Sequence, residues 1–196
     1  MKRYVPKALI VADTHEPESE FGQKVIKDFR RRYDLKNVVY HVVQNNKGSR
    51  GELSASKMTE TERKECLIAN KIAFAEIVDV IKKQNPQDLI DIHCTEYYIE
   101  KYVASIIAKD NSRLKHLANA TWFEHLSIGG RNGTIYVYDE SIGNSEILPD
   151  FIKFHPTLNH IELETYLDEK HNHPDYDKEV KFTSKLIKTI INSERG

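Results

Sequence analysis

The sequence predicts an α/β fold: a single domain with a mixed, mostly parallel sheet and helices on both faces. Three observations carry that prediction. Strand and helix patterns alternate through the first half of the chain, the rhythm of βαβ units. The runs Ala8-Leu9-Ile10-Val11-Ala12 and Asp88-Leu89-Ile90-Asp91-Ile92 lack the apolar–polar alternation of a half-exposed strand, as strands buried on both faces do. Each run empties into a polar cluster, Asp13-Thr14-His15-Glu16 and His93-Cys94-Thr95-Glu96, and open α/β sheets bind ligands beyond the carboxyl ends of their strands.

The elements follow in order. After the first strand, Phe21, Val25, Ile26 and Phe29 recur at helical spacing, and Arg30-Arg31-Arg32 places positive charge where the helix dipole is negative. Val38-Val39-Tyr40-His41-Val42-Val43 is β-branched and strand-like. The polar stretch from Gln44 to Gly51 is too long and too rich in Gly and Asn to be only a tight turn. Thr59 and Glu62, at capping-box spacing, open a long helix. Its expected apolar stripe is Leu67, Phe74, Ile77, Val78 and Ile81, widened by Ile68, Ile72 and Ala75. Asn85-Pro86 ends it, because the residue before proline is pushed out of helical geometry. The strand leading to His93 comes next. Further on, Tyr102 to Ala108 reads as a strand, with a helix as the alternative, Gly133 to Tyr138 as a strand and Ser112 to Ala120 as a short helix. His160 to Thr165 alternates as a strand, and Val180, Thr183, Ile187, Ile190 and Ile191 mark a closing helix. No repeat or linker divides the chain, so residues 1–196 are expected to form one domain.

A chain of 196 residues with 39 % hydrophobic content can bury a core without staples. Its 29 basic and 30 acidic residues nearly cancel, so bulk electrostatics argues for neither a nucleic-acid nor an anionic-membrane partner. No run approaches the roughly 20 apolar residues of a membrane-spanning helix. Met1-Lys2-Arg3-Tyr4-Val5-Pro6 lacks the apolar core of a signal peptide. With only Cys66 and Cys94 present, the expected setting is reducing and cytoplasmic.

Two strand ends delivering His15, Glu18 and His93 to one rim would assemble a three-ligand site with an open fourth position, the composition of a catalytic zinc centre. Buried imidazoles and carboxylates cost several kcal/mol unless compensated, and one divalent cation per chain would compensate them. The plainer reading is chance: with nine histidines and 30 acids, a His-x-x-Glu pair is unremarkable by itself. Asp91 points to the same strand face as His93 and suits the role of accepting a ring N–H from a liganding histidine. Glu162 and Glu164 share one face of the late strand, as a general base near a metal would, or as a solvated acidic edge would. Arg131, in Gly129-Gly130-Arg131-Asn132-Gly133, is a basic candidate for the cleft, a solvated turn arginine being the simpler alternative. His171 and His173 are a rival metal pair, but they sit in a polar loop with no strand-end platform.

Taken together, His15-x-x-Glu18 with Gly22, Gly48-Ser49-Arg50 before a long helix, Asp91-Ile92-His93-Cys94-Thr95 and Ile161-Glu162-Leu163-Glu164-Thr165 occur in the order of a known motif set. The arrangement resembles the zinc carboxypeptidase superfamily, most of all its aspartoacylase/succinylglutamate desuccinylase branch, over roughly residues 7 to 167. The resemblance implies a zinc carboxypeptidase-like fold with His15, Glu18 and His93 as zinc ligands and Asp91 orienting His15. It makes Glu164 the catalytic base and Arg50 the clamp for a substrate carboxylate. Glu16-Pro17 stands where that branch has Gly-Asn, Ser49 replaces the Asn before the arginine, and the branch's β-rich C-terminal domain is expected to be missing. The implied activity is zinc-dependent hydrolysis of the amide bond of a small N-acylated amino acid or related carboxylate-bearing substrate. The alternatives are a metallocarboxypeptidase acting on short peptides, a non-catalytic metal- or ligand-binding module, and a purely structural domain. The cleft that the absent domain would cover leaves room for a homo-oligomer.

Overall fold

The computed structural model describes residues 7–16, 19–50, 58–95, 103–110, 112, 114, 115, 117, 134–139, 148–166 and 176–193. The strands are β1 (Ala8–Ala12), β2 (Val38–Val42), β3 (Asp88–Thr95), β4 (Val103–Ala108), β5 (Thr134–Asp139) and β6 (Asn159–Tyr166). The helices are α1 (Ser19–Tyr33), α2 (Glu60–Gln84), the short α3 (Asp150–Lys153) and α4 (Tyr176–Asn192). The strands join one sheet in the order β2-β1-β3-β6-β4-β5. β2, β1, β3 and β6 run parallel, while β4 is antiparallel to β6 and parallel to β5, so the sheet is mixed and mostly parallel as expected.

Alternate residues of the central strands feed two cores. Ala8, Ile10 and Ala12 of β1, Ile90 and Ile92 of β3, and Ile161 and Leu163 of β6 face α1 and α4, whose Phe21, Val25, Phe29, Phe182, Leu186 and Ile190 complete that layer. Leu9, Val11 and Leu89 face the other way, against Ala73, Phe74, Ile77 and Ile81 of α2 and Ile152 of α3. Burial from both sides is why these strands carry no alternation. α1 lies close on β1: a Cβ at Gly22 would stand 2.6 Å from the Cβ of Ala12, so only glycine permits this approach.

The capping box of α2 is present, with Thr59 N donating to Glu62 Oε2 at 2.8 Å. Asn85, at φ 50°, closes the helix in the left-handed region and donates its N–H to Ile81 O. The buried face of α2, however, is narrower than expected. Ile68 and Ile72 are 60 % and 51 % exposed and Ala75 is exposed, while Cys66 and Asn70 continue the buried line of Phe74 and Ile77. The helix touches the sheet along one line, and apolarity alone drew the stripe a turn too wide. α3 was not expected; it exists to bury Ile152 beside Leu148 and Leu158. Most of the short helix expected over 112–120 lies outside the described residues, although Leu114 and Leu117 are buried in the first core. Cys66 and Cys94 are free thiols.

Candidate metal and active site

At the carboxyl end of β1 the chain turns sharply through Asp13, held at φ 66°. A non-glycine residue in that region costs of order 1 kcal/mol or more and persists only where its surroundings fix it. They do so here. Asn46 Nδ2 donates to Asp13 O at 2.7 Å, and Gln23 Nε2 donates to Asp13 Oδ2 at 2.6 Å. Burial pushes the Asp13 carboxyl up to about 6, with the Gln23 bond opposing the rise. The loop after β2 is stitched along the same turn, Ser49 Oγ donating to Thr14 O at 3.0 Å and Glu16 N to Ser49 O at 3.3 Å. The turn delivers His15 to the rim, buried at 6 % exposure.

β3 delivers His93 to the same place. The two imidazole rings lie 5.0 Å apart between centroids, at an interplanar angle of 36°. Asp91, fully buried, stands with Oδ2 3.2 Å from His93 Nε2, and Thr14 Oγ1 donates to its Oδ1 at 2.6 Å. The resemblance implied that Asp91 orients His15; in the structure its carboxylate faces His93 instead. The reason is strand geometry: residues two apart on one strand share a face, so the carboxylate meets its own strand's imidazole, while it touches the β1 turn through the Thr14 hydroxyl and acts on His15 through its charge.

Burial is the largest influence on His15, and with the neighbouring His93 it pushes the imidazole down to about 3. His15 is therefore neutral at physiological pH, the form in which an imidazole binds a metal. Burial alone would raise the Asp91 carboxyl, but His93, His160 and the Thr14 hydroxyl outweigh it and hold the group below the usual carboxylate range.

These features suit a cation. With Zn–N bonds of 2.0–2.1 Å and a tetrahedral angle, two liganding imidazoles have ring centres about 5 Å apart. His15 Nδ1 is buried with no hydrogen-bond partner among the described residues. Glu18, the third expected ligand, lies outside the described residues, and among those residues no group of three His, Cys, Asp or Glu side chains is arranged to hold a metal.

Glu164 of β6 is the register partner of His93, with Ser105 of β4 on its other side, and Glu162 is the partner of Asp91. Ile161 and Leu163 are fully buried in the first core while Glu162 and Glu164 are half-buried on the opposite face, so the acidic face of β6 lies on the histidine side of the sheet. Arg50 is near enough for its charge to add to the depression of His15. Its Nη1 donates to Glu16 Oε2 and to Ser49 O, both at 2.8 Å. Arg131, His171 and His173 lie outside the described residues.

Asn70 is the participant that pattern reading missed. Buried mid-helix in α2, it takes Arg50 N on Oδ1 at 3.1 Å, gives Nδ2 to Arg50 O at 2.9 Å, and hydrogen-bonds the His15 side chain. The available signal was an amide four residues from both Cys66 and Phe74, inside the line that the structure buries.

No protein-family model matches this chain, and no curated protein matches it. Solved structures do. PbaB, an archaeal proteasome activator from Pyrococcus furiosus, matches with a TM-score of 0.52 at 6 % identity, over 100 % of this chain and 88 % of that one. Murine aminoacylase 3 matches with a TM-score of 0.50 at 10 % identity, over 97 % of this chain and 66 % of that one. The likeness is one of fold. The CwlD amidase of Clostridioides difficile, solved in complex with the GerS lipoprotein, has a TM-score of 0.48 at 14 % identity, with 94 % and 98 % covered. The chain spans about two thirds of the aminoacylase's length. A proteasome activator and an aminoacylase share this architecture, so any assignment of function has to come from the site. No helix among the described residues is long and apolar enough to cross a membrane.

Proposed function

We propose that this chain is a zinc-dependent amide hydrolase, one catalytic domain over residues 1–196 with one metal ion, acting on a small N-acylated amino acid or short peptide. The observation that carries the reading is the convergence of His15 and His93 from two strand ends, their rings 5.0 Å apart and His15 Nδ1 buried without a partner among the described residues. His15, His93 and Glu18 would hold the ion, with Asp91 fixing the orientation of His93. Bound zinc at this position supplies Lewis acidity toward a carbonyl oxygen and toward water.

The remaining work falls to the chain's own groups. Glu164, beside His93 in the sheet, takes a proton from the attacking water and returns it to the leaving amine. Asp91 keeps the His93 ring in one tautomer and one orientation. Arg50 presents its guanidinium to the substrate end remote from the scissile bond. The chain is expected to work in the cytoplasm, alone or as a homo-oligomer.

The test pairs the zinc-loaded protein with its Glu164→Gln variant on a panel of N-acyl amino acids and short peptides. The expected result is turnover by the first and a loss of about 10²–10⁴-fold or more in the second, with zinc content unchanged. Near-normal turnover by the variant would remove Glu164 as the base. Stoichiometric zinc with no turnover by either protein would favour a non-catalytic binding module.

A further inference from the structure

Arg50, close enough for its charge to act on His15, is already engaged by an acid of the same loop system. Glu16 Oε2 accepts from Arg50 Nη1 at 2.8 Å and from Gly48 N at 3.0 Å. Both partners are held through their backbones. Asn70 takes Arg50 N and donates to Arg50 O, while Glu16 N donates to Ser49 O and Ser49 Oγ. An ordinary surface ion pair loses most of its worth in ordering two long side chains. Here Ser49 O also holds Arg50 Nη1 and Gly48 N also holds Glu16 Oε2, so each side chain has a second anchor on a fixed backbone. The pair is nevertheless open to solvent, at 31 % and 43 % side-chain exposure, so a ligand can reach it.

Recognition of a carboxylate by arginine is strongest as a two-pronged contact using two guanidinium N–H groups. Nη1 is spent on Glu16 Oε2 and Ser49 O. An incoming carboxylate must displace Glu16 or sit beside its negative charge. A neutral amide carbonyl meets neither obstacle and can accept a single N–H.

We propose that Glu16 is a specificity-determining residue that turns the Arg50 subsite against free carboxylates and toward substrates whose corresponding end is a neutral amide. This inference rests on the reading of Arg50 as the substrate-facing arginine and narrows the substrate from acids to amide-ended acyl amino acids. Glu16 sets the choice through Arg50, by the negative charge it places beside the guanidinium.

The experiment measures binding of N-acetylglycine and N-acetylglycinamide to the full chain and to its Glu16→Gln variant, by calorimetry at neutral pH and low salt. Wild type should bind the amide more tightly than the acid. The variant, which keeps an acceptor for Gly48 N but no charge, should shift the acid-to-amide ratio about tenfold toward the acid. The wild-type preference should shrink as salt is raised, which tests the charge effect without any substitution. An acid preference in wild type, a ratio unmoved by the substitution, or no binding of either probe to either protein would overturn the proposal. Zinc content measured on the same samples separates this from the hydrolase reading. A switch in selectivity without zinc leaves the subsite and removes the hydrolase; zinc without the switch does the reverse.

Discussion

Acidifying the metal-free protein should cost it stability through one residue above all, His15. The ordinary imidazole value of 6.5 falls to about 3 in the folded chain, because burial and His93 disfavour the cation. As pH drops below 6.5 the unfolded chain takes up a proton at this position and the folded chain does not. The stabilisation is complete above the unfolded value and drains away as pH falls toward the folded one. Between pH 8 and pH 5 the linkage amounts to about 2 kcal/mol, rising to about 5 kcal/mol at the acid limit. Urea unfolding of wild type and His15→Gln at pH 8 and pH 5 reads this contribution together with its coupling to His93 and Asp91. Wild type should lose about 2 kcal/mol more than the variant over that interval. Equal losses would mean that His15 is not held neutral in the buried position described here, and the site's electrostatics would have to be rebuilt.

Two further substitutions probe the frame around the site. Asn70→Ala leaves the main-chain N–H and C=O of Arg50 without their partner and should destabilise the protein by about 1–3 kcal/mol, with faster amide exchange across residues 44–50; an unchanged midpoint would contradict the clamp. Gly22→Ala drives a methyl group to 2.6 Å from Ala12 Cβ and should cost about 1–3 kcal/mol, read as a thermal midpoint lower by several degrees.

Much of the fold could be read from the chain because its signals are local. The apolar run of β1, the largely apolar stretch of β3 around Asp91, the capping residues Thr59 and Glu62, and the alternation from Ile161 to Glu164 each depend on near neighbours in sequence. The insertion of β6 between β3 and β4 could not be read that way, since it depends on pairing across some 70 residues, Asp88 with Asn159. The error at Ile68 and Ile72 has the same origin: a periodic pattern gives a helix face but not the width of the surface it meets. At the site, the strand-end rule brought His15 and His93 together correctly. It could not tell which imidazole Asp91 would face, because that is decided by side-chain reach along β3. The Glu16–Arg50 pair joins two loops that no spacing rule connects, and Asn70 looked like an interruption of a stripe instead of the bracket that holds Arg50.

The central claim is that His15 and His93 converge on one cation. Metal analysis of the protein purified without added metal, alongside His15→Ala and His93→Ala, tests it most directly. Close to one zinc per chain is expected in wild type, with loss of the metal in either variant. Wild-type protein that carries no zinc and takes none up on addition, or variants that retain it in full, would contradict it.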